Sequence, residues 1–172
     1  MPARELDALI DDLLDAQVEF IVIGGMAAML HGAPIVTGDI DIVHRRTPEN
    51  VERLLRVLLA VKAHARADRR NLPPTTSALM GRGHILLDTS VGPTDVPCEI
   101  GVDQDFDWLL PRSELVPRGD RAVRVVDLRT LIELKVAAGR LKDRLVVPIL
   151  TLPGPPPGRV RVGRSVFGGA RW

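Results

Sequence analysis

Residues 20–43 read FIVIGGMAAMLHGAPIVTGDIDIV. Most of this stretch is apolar or small, yet it carries two aspartates, Asp39 and Asp41, with one isoleucine between them. Residues 18–23, VEFIVI, are β-branched and aromatic-containing, which predicts a buried strand ending at Gly24-Gly25. The following MAAMLHG predicts a short helix stopped by Gly32, with Pro34 beyond it. Residues 39–44, DIDIVH, predict a second strand with Ile40 and Ile42 on one face and Asp39, Asp41 and Val43 on the other. Burying an ionised carboxylate is costly unless it is paired or coordinates a metal. Either the aspartates lie on a wet face or something positive meets them.

The strand period places both carboxylates on one side, roughly 6.5–7 Å apart along the chain. Two acids at that spacing can share a divalent cation or hold a pair of them, and Mg²⁺ is usually held by one or two carboxylates plus substrate phosphates. The Gly24-Gly25 turn, between a strand and a helix, offers bare backbone N–H groups as a phosphate cradle. Together these features point to phosphoryl or nucleotidyl transfer, with metal neutralising charge on the attacking and leaving oxygens. The alternative without a metal is a solvated edge strand with alternating polar residues.

Working outward, Leu6, Leu9, Ile10, Leu13 and Leu14 predict an amphipathic helix over 5–16 with an acidic outer face. Thr47 and Pro48 form an N-cap and N1 pair that starts a helix running to about 63, with Val51, Leu54, Leu55, Leu58 and Val61 inward. Residues 64–82 are basic and then Pro/Thr-rich, and read as a loop or excursion. Strands at 84–89 and 94–100, around Gly92-Pro93, predict a hairpin or bent strand. Residues 121–126 alternate as a further strand, and Asp127 caps a helix over 128–138 that Gly139 ends. The order is that of a small α/β (α+β) domain over residues 1–150, a mixed sheet with helices packed against it. Residues 151–172 are Pro/Gly-rich with four arginines and no acid, and predict a disordered tail.

Composition narrows the classes. The chain of 172 residues is 45% hydrophobic and 26% charged, as a soluble globular domain is. Net charge is +1, with the positive charge gathered in the tail, so no global field advertises a nucleic-acid partner. Five aromatic residues and no tyrosine argue against a base-stacking platform. A nucleic-acid-binding domain using the basic tail therefore ranks last. A single cysteine, Cys98, excludes an internal disulfide and fits a reducing compartment. The acidic start is neither a signal peptide nor a membrane span, so the expected location is cytoplasmic, with no membrane partner.

Gly24-Gly25, thirteen intervening residues and Asp39-Ile40-Asp41-Ile42 resemble the nucleotidyltransferase signature of the polymerase-beta-like superfamily. The segment LIELKVAAGRLKD, with Lys135, Arg140, Lys142 and Asp143, further resembles motifs of the AbiEii-type nucleotidyltransferases, some of which are toxins of toxin–antitoxin pairs. The resemblance covers roughly residues 5–150. It implies a nucleotidyltransferase fold in which Asp39 and Asp41 hold Mg²⁺ or Mn²⁺, with Asp95 as third acid and Asp88 as its rival. It also implies that Gly24, Gly25 and Thr37 contact the triphosphate and that Lys135 helps to hold the nucleotide. The reaction implied is transfer of an NMP from an NTP to an acceptor hydroxyl on an RNA end, a protein or a small molecule, releasing pyrophosphate. Ile35 stands where relatives often carry a basic residue, and Val146 where a further aspartate usually follows. Those departures motivate a second reading, a weak or inactive binding module paired with a cognate toxin or antitoxin protein.

The remaining motifs read as structural. Asp103, Asp105, Asp107 and Glu114 mimic a calcium loop, but Trp108 stands where that loop needs glycine. His31, His44, His64 and His84 have no metal-ligand spacing. Cys98 has no evident activating base. Asp95 also has a plain reading as a turn cap after Gly92-Pro93.

Overall fold

The computed structural model describes residues 2–139 and 141–151, with side chains described for 6–139 and 146–151. The tail from 152 onward and Arg140 lie outside the described residues, as do the side chains of Lys142 and Asp143.

The core is a seven-stranded mixed sheet whose order is β3-β4-β5-β2-β1-β7-β6. The stretch 20–43 supplies its centre. Strand β1 (Phe20–Ile23) is buried throughout and runs antiparallel to β2 (Ile40–His44), with Ile23 opposite Asp41. Strand β5 (Thr94–Pro97) lies parallel to β2 on its other side, and β4 (His84–Asp88) pairs antiparallel with β5, as a hairpin requires. Strand β7 (Arg121–Val126) runs parallel to β1. Its partner β6 (Ser113–Arg118) forms one edge and the two-residue β3 (His64–Ala65) forms the other.

Helix α1 (Pro2–Asp15) buries Leu6, Leu9, Ile10 and Leu13 completely, while Leu14 is only partly covered. Helix α3 (Pro48–Ala60) starts at Thr47, whose side chain accepts from the Asn50 N–H, and it buries Val51, Leu54 and Leu58. Helix α6 (Leu128–Ala138) begins at Asp127, which accepts from the Thr130 N–H, and ends at Gly139 in the left-handed region at φ +63°. Both caps are where the residue chemistry puts them. Short helix α2 (Gly24–Leu30) packs against α6, and α6 against α7 (Leu141–Thr151).

Five elements depart from the sequence expectation, among them α7, for which no helix after Gly139 is predicted. The excursion 64–82 contains β3 and a short helix, α4 (Thr76–Met80), capped by Thr75. Residues 106–109 form helix α5, with Asp105 accepting from the N–H groups of Asp107 and Trp108. Residues 113–118, for which the sequence predicts no element, form β6. Among the described residues no helix is long and apolar enough to cross a membrane.

Candidate active site

Asp41 and Asp95 are side by side in register on the parallel strands β2 and β5. Strand alternation puts Asp41 and Asp95 on one face of the sheet, while Ile40, Ile42, Thr94 and Val96 turn into the core on the other; Asp39, predicted as the first strand residue, lies just before β2 and lines the same cavity as Asp41 and Asp95. On that first face lies a cavity of about 710 Å³, within the range of small-molecule sites. Seven residues singled out from sequence line it: Gly24, Gly25, Thr37, Asp39, Asp41, Asp95 and Lys135. Asp88, the rival third acid, is not among its lining.

The two glycines serve the acids directly. Gly24 sits at φ +68°, and a Cβ there would stand 2.8 Å from Asp41 Cγ, with a carboxylate oxygen nearer still. A Cβ on Gly25 would meet Thr37 Oγ1 at 2.6 Å. The turn is therefore glycine because Asp41 and Thr37 occupy the space a side chain would need, in addition to any backbone role towards phosphate. Thr37 is buried; its hydroxyl donates to the Asp39 carboxylate and lies 3.2 Å from the Asp39 carbonyl oxygen. Lys135, only 9% exposed, enters from the last turn of α6. Its presence among the lining aliphatics Leu131, Leu134, Val146 and Ile149 follows from a long apolar stem that can be buried while the charged tip reaches polar ground.

Two features of the site were not legible as such. Arg66, from the excursion after β3, donates from Nη2 to Asp95 Oδ1 at 2.7 Å and from Nε to Asp88 Oδ1 at 3.1 Å. Burial alone would lower the Arg66 pKa, but its bonds to Asp95 and then Asp88 more than offset that and raise it. Glu99 also lines the cavity, paired with Arg46 at 3.1 Å and Arg82 at 2.7 Å. A basic residue in a polar loop gives no hint of the carboxylate it will reach across a strand.

The donor set suits a hard divalent cation, being carboxylate oxygens on one strand face beside a glycine turn that leaves them room. In the conformation described, Asp39 is bonded to Thr37 and Asp95 to Arg66, and among the described residues no three His, Cys, Asp or Glu side chains are arranged as a metal cage. The residues read as structural behave so. Asp103, Asp105 and Asp107 pair with Arg82, Arg46 and Arg45 respectively. Burial pushes the Cys98 thiol pKa up, away from nucleophilic use. His44 is fully buried; its Nε2 donates to the Leu79 carbonyl at 2.9 Å, and burial lowers its pKa. His84 is the exception, since it lines the cavity.

The mixed sheet thus presents acids from two adjacent central strands beside a Gly-Gly turn. A solved structure of a candidate nucleotidyltransferase from Thermotoga maritima shares this fold: it is 18% identical, with a TM-score of 0.54, over 85% of this chain and 89% of that one. At that identity the likeness is one of fold. No protein-family model matches the chain, and no curated protein does.

Proposed function

We propose that the protein is a divalent-metal-dependent nucleotidyltransferase of the AbiEii type, moving an NMP from an NTP to an acceptor hydroxyl with release of pyrophosphate. The observation that carries this reading is the convergence of Asp39, Asp41, Asp95, the Gly24-Gly25 turn, Thr37 and Lys135 on one cavity in this fold. Asp39 and Asp41, with Asp95, would hold Mg²⁺ or Mn²⁺, which would supply charge neutralisation at the transferring phosphoryl group. Gly24-Gly25 would approach the triphosphate through backbone N–H groups, since no side chain intervenes. Thr37 orients the Asp39 carboxylate, and Lys135 would hold the nucleotide by its charge. The aliphatic walls from α6 and α7 give the nucleobase an apolar surface, with shape and dispersion replacing the absent aromatics. Positioning and charge neutralisation would account for most of the rate.

The acceptor class is an RNA end, a protein or a small molecule, and label transfer identifies it. Purified protein incubated with each α-labelled NTP, Mg²⁺ or Mn²⁺, and host RNA and protein fractions should label one fraction. Asp41→Asn should label none. Equal labelling by that variant would sink the reading.

A second reading has its own observation. Ile35 and Val146, where relatives carry charge, both line the cavity, so the site has fewer charged groups than the motif implies. It describes a catalytically weak member of a toxin–antitoxin pair. Copurification with one partner protein in fixed stoichiometry, and no labelling with any NTP, would favour it; turnover by the isolated chain would remove it.

A further inference from the structure

Arg66 stands just beyond β3, and its backbone N–H donates to the Leu86 carbonyl at 2.9 Å, which fixes the residue against β4. From there its side chain crosses towards the sheet face that carries the acids. Nη2 is shared between the Leu87 carbonyl at 2.8 Å and Asp95 Oδ1 at 2.7 Å, while Nε is bonded to Asp88. The carboxylate it reaches is the one in register with Asp41, and the Asp95 side chain is only 15% exposed. Asp39 is held differently, by a neutral hydroxyl. Asp39 and Asp95 are therefore not equivalent: Asp95 already has a cation from its own chain.

We propose that Arg66 is a latch on the third carboxylate. Its guanidinium competes with a divalent cation for Asp95, so a cation that takes Asp95 as a ligand would have to displace it. The geometry allows release, because Asp88 and the Leu87 carbonyl remain as acceptors when Asp95 is taken. Two positive charges cannot share one carboxylate at ligand distance without strong repulsion, so the latched site binds a cation weakly and the opened site binds it well. Among the described residues Lys135 is the only Lys or Arg lining the cavity, and a guanidinium released from Asp95 but still held by Asp88 and the Leu87 carbonyl would add a second positive charge near that face. The inference rests on the reading of Asp39, Asp41 and Asp95 as the cation site.

The test is Mn²⁺ binding by the full chain at low ionic strength, followed by electron paramagnetic resonance. It compares the unaltered protein with Arg66→Gln, Asp95→Asn, the double variant and an Asp39→Asn/Asp41→Asn pair. Arg66→Gln should bind Mn²⁺ about tenfold more tightly or better, because one opposing unit charge is gone. The gain should vanish in Arg66→Gln/Asp95→Asn. Unchanged or weaker binding in Arg66→Gln overturns the latch, and so does a gain that survives without Asp95. Arg66→Lys guards against misfolding of the glutamine variant: it keeps the charge but cannot fork to three acceptors. A folded Arg66→Lys should gain affinity to a smaller extent, and no gain overturns the proposal. If the Asp39/Asp41 pair loses Mn²⁺ while Arg66→Gln is unchanged, only the latch fails. If that pair keeps full binding, the site reading fails and the latch with it.

Discussion

Two groups of three aspartates invite comparison. Asp7, Asp11 and Asp15 recur at four-residue intervals on α1, which lines them along one stripe of the helix. Arg118 and Arg121, at either side of the turn of the β6–β7 hairpin, reach back to them. Arg118 bonds Asp7 and Asp11, and Arg121 bonds Asp11 and Asp15. The second group, Asp39, Asp41 and Asp95, comes from two neighbouring strands and the residue just before one of them, and opens on a cavity. In the first group the carboxylates are used up in joining a helix to a hairpin at the surface. In the second they border a space that a ligand of nucleotide size could fill. Residue type is the same; what differs is whether the fold brings its own arginines up to every carboxylate or leaves open volume beside them.

That contrast predicts opposite consequences for mutation. Asp41→Asn should lower transfer by about a thousandfold or more while changing the melting temperature little, since asparagine matches aspartate in shape and the side chain borders an open cavity. Parallel assays of label transfer and thermal melting would check it, and a large loss of stability would move Asp41 into the structural class. Gly24→Ala should cost roughly 3 kcal/mol or more, from the left-handed backbone and the collision with Asp41 together, read as a drop in denaturant midpoint. Arg118→Ala should cost roughly 1–2 kcal/mol, since several charge-assisted bonds are lost at a partly exposed site. It should leave Mn²⁺ binding untouched.

The smallest effects are those of pH. The Arg118 bond holds the Asp11 carboxyl below its ordinary range. A depressed carboxylate contributes stability above its unfolded pKa, and that contribution is lost as pH falls below about 4 through the folded value. Arg118→Ala should therefore flatten the acid limb of the stability curve. His44 acts in a higher window. Its pKa is lowered by burial, so the unfolded chain takes up the proton first and stability should decline as pH falls below about 6.5. Urea unfolding between pH 8 and 5.5 measures that slope.

Much of this was legible because local signals agreed with one another. The strand ending at Gly24-Gly25, the Thr47-Pro48 helix start and the Asp127-to-Gly139 helix each combine a period with a cap, and such signals need no knowledge of the rest of the chain. The common face of Asp39 and Asp41 follows from strand period alone. The adjacency of Asp95 does not, because register between β2 and β5 depends on how two distant segments pair. Strand β6 was hidden by its edge position, where Glu114, Leu115 and Pro117 are exposed and the apolar alternation is weak. Helix α5 has only four residues, too few for a period, although Asp105 supplies a cap. Arg66 was illegible for a different reason. Its partners are chosen by the β3–β4 pairing, which two residues of strand hardly mark in the sequence.

The most direct test of the central claim is a crystal grown with Mn²⁺ and an NTP analogue that cannot be cleaved at the α-phosphate. Anomalous scattering would locate the ion. The account predicts a peak bridging Asp39 and Asp41, with triphosphate oxygens on its far side and the Gly24-Gly25 turn within hydrogen-bonding reach of them. Nucleotide bound elsewhere, or ordered in the cavity with no ion at either aspartate, would contradict it.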